Sequence, residues 1–126
     1  MAKLKGIPKR NPQAPEEDPK FYASLVHEER VEIDALATKV SQRCSLRRSD
    51  VHGVLVALMD IIPEQLLNGD IVALGELGSF CAAVSSEGVD SVDDLSVTMV
   101  RGAKIQYRPT KELKKKLRML DYTIAS

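Results

Sequence analysis

The sequence has no apolar run near the roughly 18 residues that a membrane span requires, and no cleavable leader pattern at its amino end. Lys3, Lys5, Lys9 and Arg10 stand there, but Pro8, Pro12 and Pro15 fall where a leader would place its apolar stretch. A cytoplasmic address without a membrane partner is the expectation. Cysteine is scarce. Cys44 and Cys81 have no metal-ligand spacing, and each sits in an apolar-periodic segment, so both are expected to be buried free thiols. Histidine is equally rare: His27 and His52 lie on different segments, and His27-Glu28-Glu29-Arg30 lacks the second histidine of a zinc-protease helix. Neither a phosphate-binding loop nor a nucleophile elbow is present. Without such a constellation no catalytic residue, metal, cofactor or small-molecule substrate is expected.

Net charge is also missing. The 126 residues carry 18 basic and 18 acidic side chains, which is an awkward balance for a nucleic-acid binder. Their distribution is polarised. From Arg101 to Arg118 the bases Arg101, Lys104, Arg108, Lys111, Lys114, Lys115, Lys116 and Arg118 face one acid, Glu112. From Glu87 to Asp94 there are only acids: Glu87, Asp90, Asp93 and Asp94. A neutral protein patterned in this way can still hold a phosphate backbone on one side.

At this length the chain makes about one domain. Residues 1–27 carry four of the six prolines and read as an extended arm, with a short strand near Phe21–Leu25. From Ile33 the pattern becomes helical: Ile33, Leu36, Ala37, Val40 and Cys44 recur at spacings of three and four. A turn at Ser45–Arg48 leads to a second helix whose stripe of Val51, Val54, Leu55, Leu58, Ile61, Ile62, Leu66 and Leu67 is wider than one face needs. Burial on two sides, against its own subunit and against a partner, would account for that width. Pro63 is expected to kink this helix, and Asn68-Gly69 to stop it. Three strands follow, near Ile71–Leu74, Ser79–Ser86 and Val97–Tyr107, with a glycine turn at Gly75–Gly78 and an acidic loop at Glu87–Asp94. Arg108-Pro109 ends the last strand, and Thr110 is placed to cap a closing helix with Leu113, Leu117 and Leu120 on one stripe.

Three segments in this order resemble the bacterial histone-like HU and integration-host-factor family. They are the paired helices over Ile33–Gly69, the run Gly69-Asp70-Ile71-Val72-Ala73-Leu74-Gly75-Glu76-Leu77-Gly78-Ser79-Phe80, and Arg108-Pro109-Thr110-Lys111-Glu112-Leu113-Lys114. Lys9-Arg10-Asn11-Pro12-Gln13-Ala14-Pro15 with Pro19-Lys20-Phe21-Tyr22 is similar to the subgroup with an added amino-terminal strand. The resemblance implies an α+β, HU-like fold with two amino-terminal helices, a three-stranded antiparallel sheet bearing a short β-arm, and a carboxy-terminal helix. It also implies an intertwined homodimer with an interface at Val54, Leu55, Leu58, Ile62 and Phe80. The organisation expected is an extension over 1–27 and an HU-like DNA-binding domain over 28–126. The function implied is non-catalytic, largely sequence-independent binding of double-stranded DNA by an architectural protein of the nucleoid. The alternative is an HU-shaped structural or protein-interaction paralogue with little DNA affinity.

Two departures bear on that function. The family's arm usually ends in a basic Arg-Asn-Pro tip, whereas Ser85–Asp94 here is short, acidic and free of proline; Arg10-Asn11-Pro12 resembles the missing motif in another place. Arg47 also stands where a small hydroxyl would cap the second helix better. Affinity must then come from phosphate contacts, which give strength without base reading. The candidate DNA-binding residues are Arg101, Lys104, Arg108, Lys111, Lys114 and Lys115, with Gly78 and Ser79 offering backbone amides. Lys104 and Arg108 share strand parity. Arg101 has the opposite parity and joins them only if Gly102 marks a bulge.

Overall fold

The apolar spacing from Ile33 produces helix α1, Ile33–Ser41, and, after a turn, helix α2, Arg48–Leu67. The computed structural model describes residues 1–125; Ser126, at the end of the expected DNA-binding domain, lies outside them. Ala37 of α1 and Val51 of α2 are buried, and among the described residues no other apolar side chain is. Polar links brace this small contact. Arg48 Nε donates to Thr38 Oγ1 at 2.9 Å, and Asp34 Oδ1 lies 3.1 Å from His52 Nε2 and 3.7 Å from Arg48. Neither Glu32 nor Arg47 gives its helix a side-chain cap bond, as expected for Arg47, whose side chain carries donors only.

Helix α2 continues through Pro63 as far as Leu67. Its end follows the expected stop. Gly69 turns to φ +83°, its N–H donates to Leu66 O at 3.0 Å, and the Asp70 N–H donates to Gln65 O at 3.1 Å. These bonds satisfy carbonyls that the last helical turn would otherwise leave open.

Three strands form an antiparallel sheet in the order β3-β4-β5: β3 is Val72–Ala73, β4 is Ser79–Ser86 and β5 is Val100–Arg108. The first is shorter than expected. The third starts at Val100 because Val97–Met99 forms a 3-10 turn, with Ser96 Oγ accepting from the Thr98 N–H. Val92–Asp94 makes a second such turn, begun by Ser91. Two Ser-initiated turns therefore occupy the region where a long β-arm would extend.

Helix α3, Lys111–Leu117, closes this segment. Thr110 caps it as expected: its Oγ1 accepts from the Leu113 N–H at 3.2 Å and also donates to the Glu76 carbonyl. One hydroxyl thus ties the helix start to the glycine turn. Thr110→Val should lower stability by about 1–2 kcal/mol, read from the urea midpoint, because both bonds are lost without loss of volume. Leu120 lies beyond the helix, so the expected stripe is cut to Leu113 and Leu117.

The amino-terminal arm departs most from expectation. A second sheet exists, ordered β2-β1-β6, where β1 is Ala2–Lys9, β2 is Lys20–Leu25 and β6 is Tyr122–Ile124. β2 lies where a short strand was expected. β1 and the parallel strand β6, paired through Ala2↔Tyr122 and Leu4↔Ile124, were not. The single sheet of the expected HU-like topology is thus corrected to two. β6 reaches only Ala2–Leu4, so at Pro8 strand β1 has a neighbour on one side only, where a missing N–H is tolerated. The described chain divides into two compact units, one of Glu32–Lys114 and one of Met1–Val31 with the segment from Lys115 onward.

Candidate nucleic-acid interface

Register decides which side chains share a face of the β3-β4-β5 sheet. β4 and β5 pair as Ser79↔Arg108, Phe80↔Tyr107, Cys81↔Gln106, Ala82↔Ile105, Ala83↔Lys104, Val84↔Ala103 and Ser85↔Gly102, and then shift to Ser86↔Val100. Directly paired residues point the same way. One face therefore carries Phe80, Ala82, Val84, Ala103, Ile105 and Tyr107, and is apolar apart from the tyrosine hydroxyl and Ser86 at the strand end. The other carries Ser79, Cys81, Ala83 and Ser85 with Lys104, Gln106 and Arg108.

The shift after Ser85 leaves Arg101 as the extra residue of a β-bulge beside Gly102. Ala103 and Val100 both belong to the apolar face, so the two residues between them, Arg101 and Gly102, fall together on the polar one. The condition set by strand parity is met. Arg101, Lys104 and Arg108 form a single exposed cationic row of about 20 Å at strand spacing. Gln106 sits within it and was not among the expected site residues, although its parity could have placed it; its Oε1 lies 3.7 Å from Cys81 Sγ. Arg101 also lies 3.6 Å from Glu87, so the acidic arm neutralises that end of the row in part.

Lys111, Lys114 and Lys115 follow on α3. At i, i+3 and i+4 they share one exposed helix face, while Leu113 and Leu117 share another.

Gly78 and Ser79 prove to be structural neighbours of this row. Gly78 is buried, at φ +122°, and its N–H points to Gly75 O at 3.3 Å. A Cβ there would stand 2.2 Å from Arg108 O, so only glycine lets the turn approach the strand end. Ser79 is half-buried and pairs with Arg108. On the opposite face Phe80 stacks on Tyr107 at 5.0 Å, and the Tyr107 hydroxyl donates to Leu77 O at 2.6 Å, which fixes β4, β5 and the turn as one piece.

The expected interface residues differ in exposure. Leu55, Ile62 and Phe80 are half-buried within the chain, while Val54 and Leu58 are exposed. Cys81 is half-buried, but Cys44 is exposed, which corrects the expectation of a buried thiol: α1 ends at Ser41, and the apolar stripe ends with it. Among the described residues no helix is long and apolar enough to cross a membrane.

The model of a family described as an HU domain fused to wHTH, Ig, or glycine-rich motif matches residues 3–123. No curated protein matches the chain. Among solved structures, the fold resembles that of a candidate bacterial DNA-binding protein from Bacteroides vulgatus ATCC 8482, with a TM-score of 0.60 at 16% identity. The match covers 96% of this chain and 47% of that one, so the chain spans about half the length of the protein it matches.

Proposed function

We propose that this chain, which belongs to the family of HU domains fused to a wHTH, Ig or glycine-rich motif, binds double-stranded DNA without catalysis, largely independently of sequence, as a homodimeric architectural protein of the cytoplasmic nucleoid. The observation that carries this reading is the bulge-aligned row of Arg101, Lys104 and Arg108 on one sheet face. Lysine and arginine so arrayed neutralise successive phosphates and release counterions, which supplies affinity but no base reading. Lys111, Lys114 and Lys115 extend the same chemistry along α3. Gly78 and Ser79 serve by position: the glycine permits the close turn that fixes Arg108, and the Ser79 hydroxyl adds a donor opposite it. The residues from 28 onward are assigned as the DNA-binding domain, and residues 1–27 as its extension.

The homodimer is supported by apolar surface left open. Val54 is 59% exposed and Ile105 68% exposed, on a helix and a sheet face that a second copy would cover. The competing reading, a structural or protein-interaction paralogue with little DNA affinity, is favoured by one observation, the acidic arm that ties up Arg101 through Glu87.

Binding of a mixed-sequence duplex, titrated with salt, separates the two. The parent should lose affinity steeply as salt rises. Lys104→Ala with Arg108→Ala should reduce the logarithmic slope by about 1.8 per chain, at about 0.9 for each phosphate no longer neutralised. Absence of duplex binding at low salt would leave the paralogue reading standing.

A further inference from the structure

The β2-β1-β6 sheet has a cationic face of its own. Leu4↔Leu25, Gly6↔Ala23 and Pro8↔Phe21 put apolar residues on one side. The alternate positions put Lys3, Lys5, Lys9 and Lys20 together on the other, around Ile7 and Tyr22, and all four lysines are exposed. The three strands contain no acid. We infer that this lysine face is a second duplex-DNA surface, contacting the phosphate backbone separately from the row on β5; the ligand class rests on the proposed function, the site does not.

Three features favour a phosphate polymer over plain solvation. The first is spacing. Lys3 to Lys5 advances about 6.8 Å and Lys5 to Lys9 about 13.6 Å along β1, two and four times the rise of one nucleotide along a strand of duplex. The second is a like-charge pair: Lys9 is paired directly with Lys20, an arrangement that destabilises a sheet and that a bound anion would relieve. Lys9 Nζ stands 5.6 Å from the centre of the Tyr22 ring and has no carboxylate partner among the described residues. The third is the balance of local acids. Glu28 holds Lys3 at 3.0 Å, but no ion pair within the described residues engages Lys5, Lys9 or Lys20. Lys9, Lys20 and Tyr22 of this face also line a cleft of about 350 Å³, together with Arg10, Glu17 and Asp18. The two carboxylates make that end of the hairpin less favourable to phosphate than the region around Lys3 and Lys5.

The test uses the full chain and one 30-base-pair mixed duplex. Lys5→Gln, Lys9→Gln and Lys20→Gln are combined, since glutamine stays polar on an exposed strand and removes the charge; circular dichroism checks the fold. The logarithmic salt slope should fall by about 2.7 per chain, and affinity at low salt by at least about tenfold. An unchanged slope in this variant, with a reduced slope in the Lys104/Arg108 variant, would overturn the second surface alone. A reduced slope here with none in the Lys104/Arg108 variant would support the second surface and overturn the β5 row. A parent that binds phosphatidylglycerol vesicles but no duplex would overturn both.

Discussion

Gly78→Ala should lower stability by about 3–5 kcal/mol, shifting the urea midpoint down by more than about 1 M. Two costs add. At φ +122° an L side chain is strained whatever the space around it, at about 1–3 kcal/mol. The new Cβ would also overlap Arg108 O at 2.2 Å and Pro109 Cα at 2.9 Å. Both are backbone atoms at the β5 end, so no side chain can swing away. The sheet end must move, and with it go the Tyr107–Leu77 bond and the Thr110 link to Glu76. Gly88→Ala is the matched control, because a Cβ there meets nothing within 4 Å and should shift the midpoint little. Equal midpoints for the two variants would show that the turn does not lock the strand. Because Arg108 belongs to the proposed phosphate row, the Gly78 variant should also bind duplex more weakly wherever it remains folded.

The legible parts of this molecule were those whose signal is local. Ile33, Leu36, Ala37 and Val40 mark α1 by spacing alone, and Thr110 announces α3 because a cap acts over three residues. The parity of Lys104 and Arg108 was readable for the same reason: alternation along a strand needs no knowledge of its partner. Arg101 was different. Its face depends on a bulge, and a bulge is a relation between two strands, so Gly102 could suggest it and only the pairing with Ser85 and Ser86 could fix it.

The second sheet was illegible for a stronger version of that reason. β6 is three residues long, and it pairs with β1 across nearly the whole chain, Ala2 with Tyr122. Nothing around Tyr122–Ile124 distinguishes a strand from a tail. β1 did carry an alternation, Lys3 and Lys5 against Ala2, Leu4 and Gly6, but Pro8 and the prolines after it masked it. The lysine face went unseen with it, because Lys20 joins Lys3, Lys5 and Lys9 only through the hairpin register. Leu120 erred in the other direction. It continues the spacing of Leu113 and Leu117, yet the helix has ended by then, since spacing alone does not fix where a two-turn helix stops.

Val54→Asp should weaken self-association at least about 100-fold and make the folded state depend on protein concentration far more steeply than in the parent, given a desolvation cost of about 3 kcal/mol or more. Within a single chain Val54 is 59% exposed, and an aspartate at such a site ordinarily changes stability by no more than about 0.5 kcal/mol. A large effect therefore requires a second copy over α2. The chain leaves open apolar surface that the proposed second copy would cover. It exposes 10,934 Å² at a mass of 13.9 kDa. A compact monomer of that mass exposes about 6,700 Å², and the two units counted separately would expose about 8,000 Å². The excess, about 3,000 Å² per chain, is ample for the roughly 1,000–2,500 Å² per partner that obligate dimers ordinarily cover. Among the described residues only Ala37 and Val51 are buried apolar side chains, so the chain by itself gains little apolar burial against the entropy of ordering it. Each copy would bring its own introduced carboxylate into the shared interface, so that desolvation cost is incurred twice per dimer. Light scattering and thermal unfolding across a concentration series decide the matter. A parent that is monomeric at micromolar concentration, and a variant that melts with it, would remove the dimer from the proposed function while leaving the two cationic faces to be judged on DNA alone.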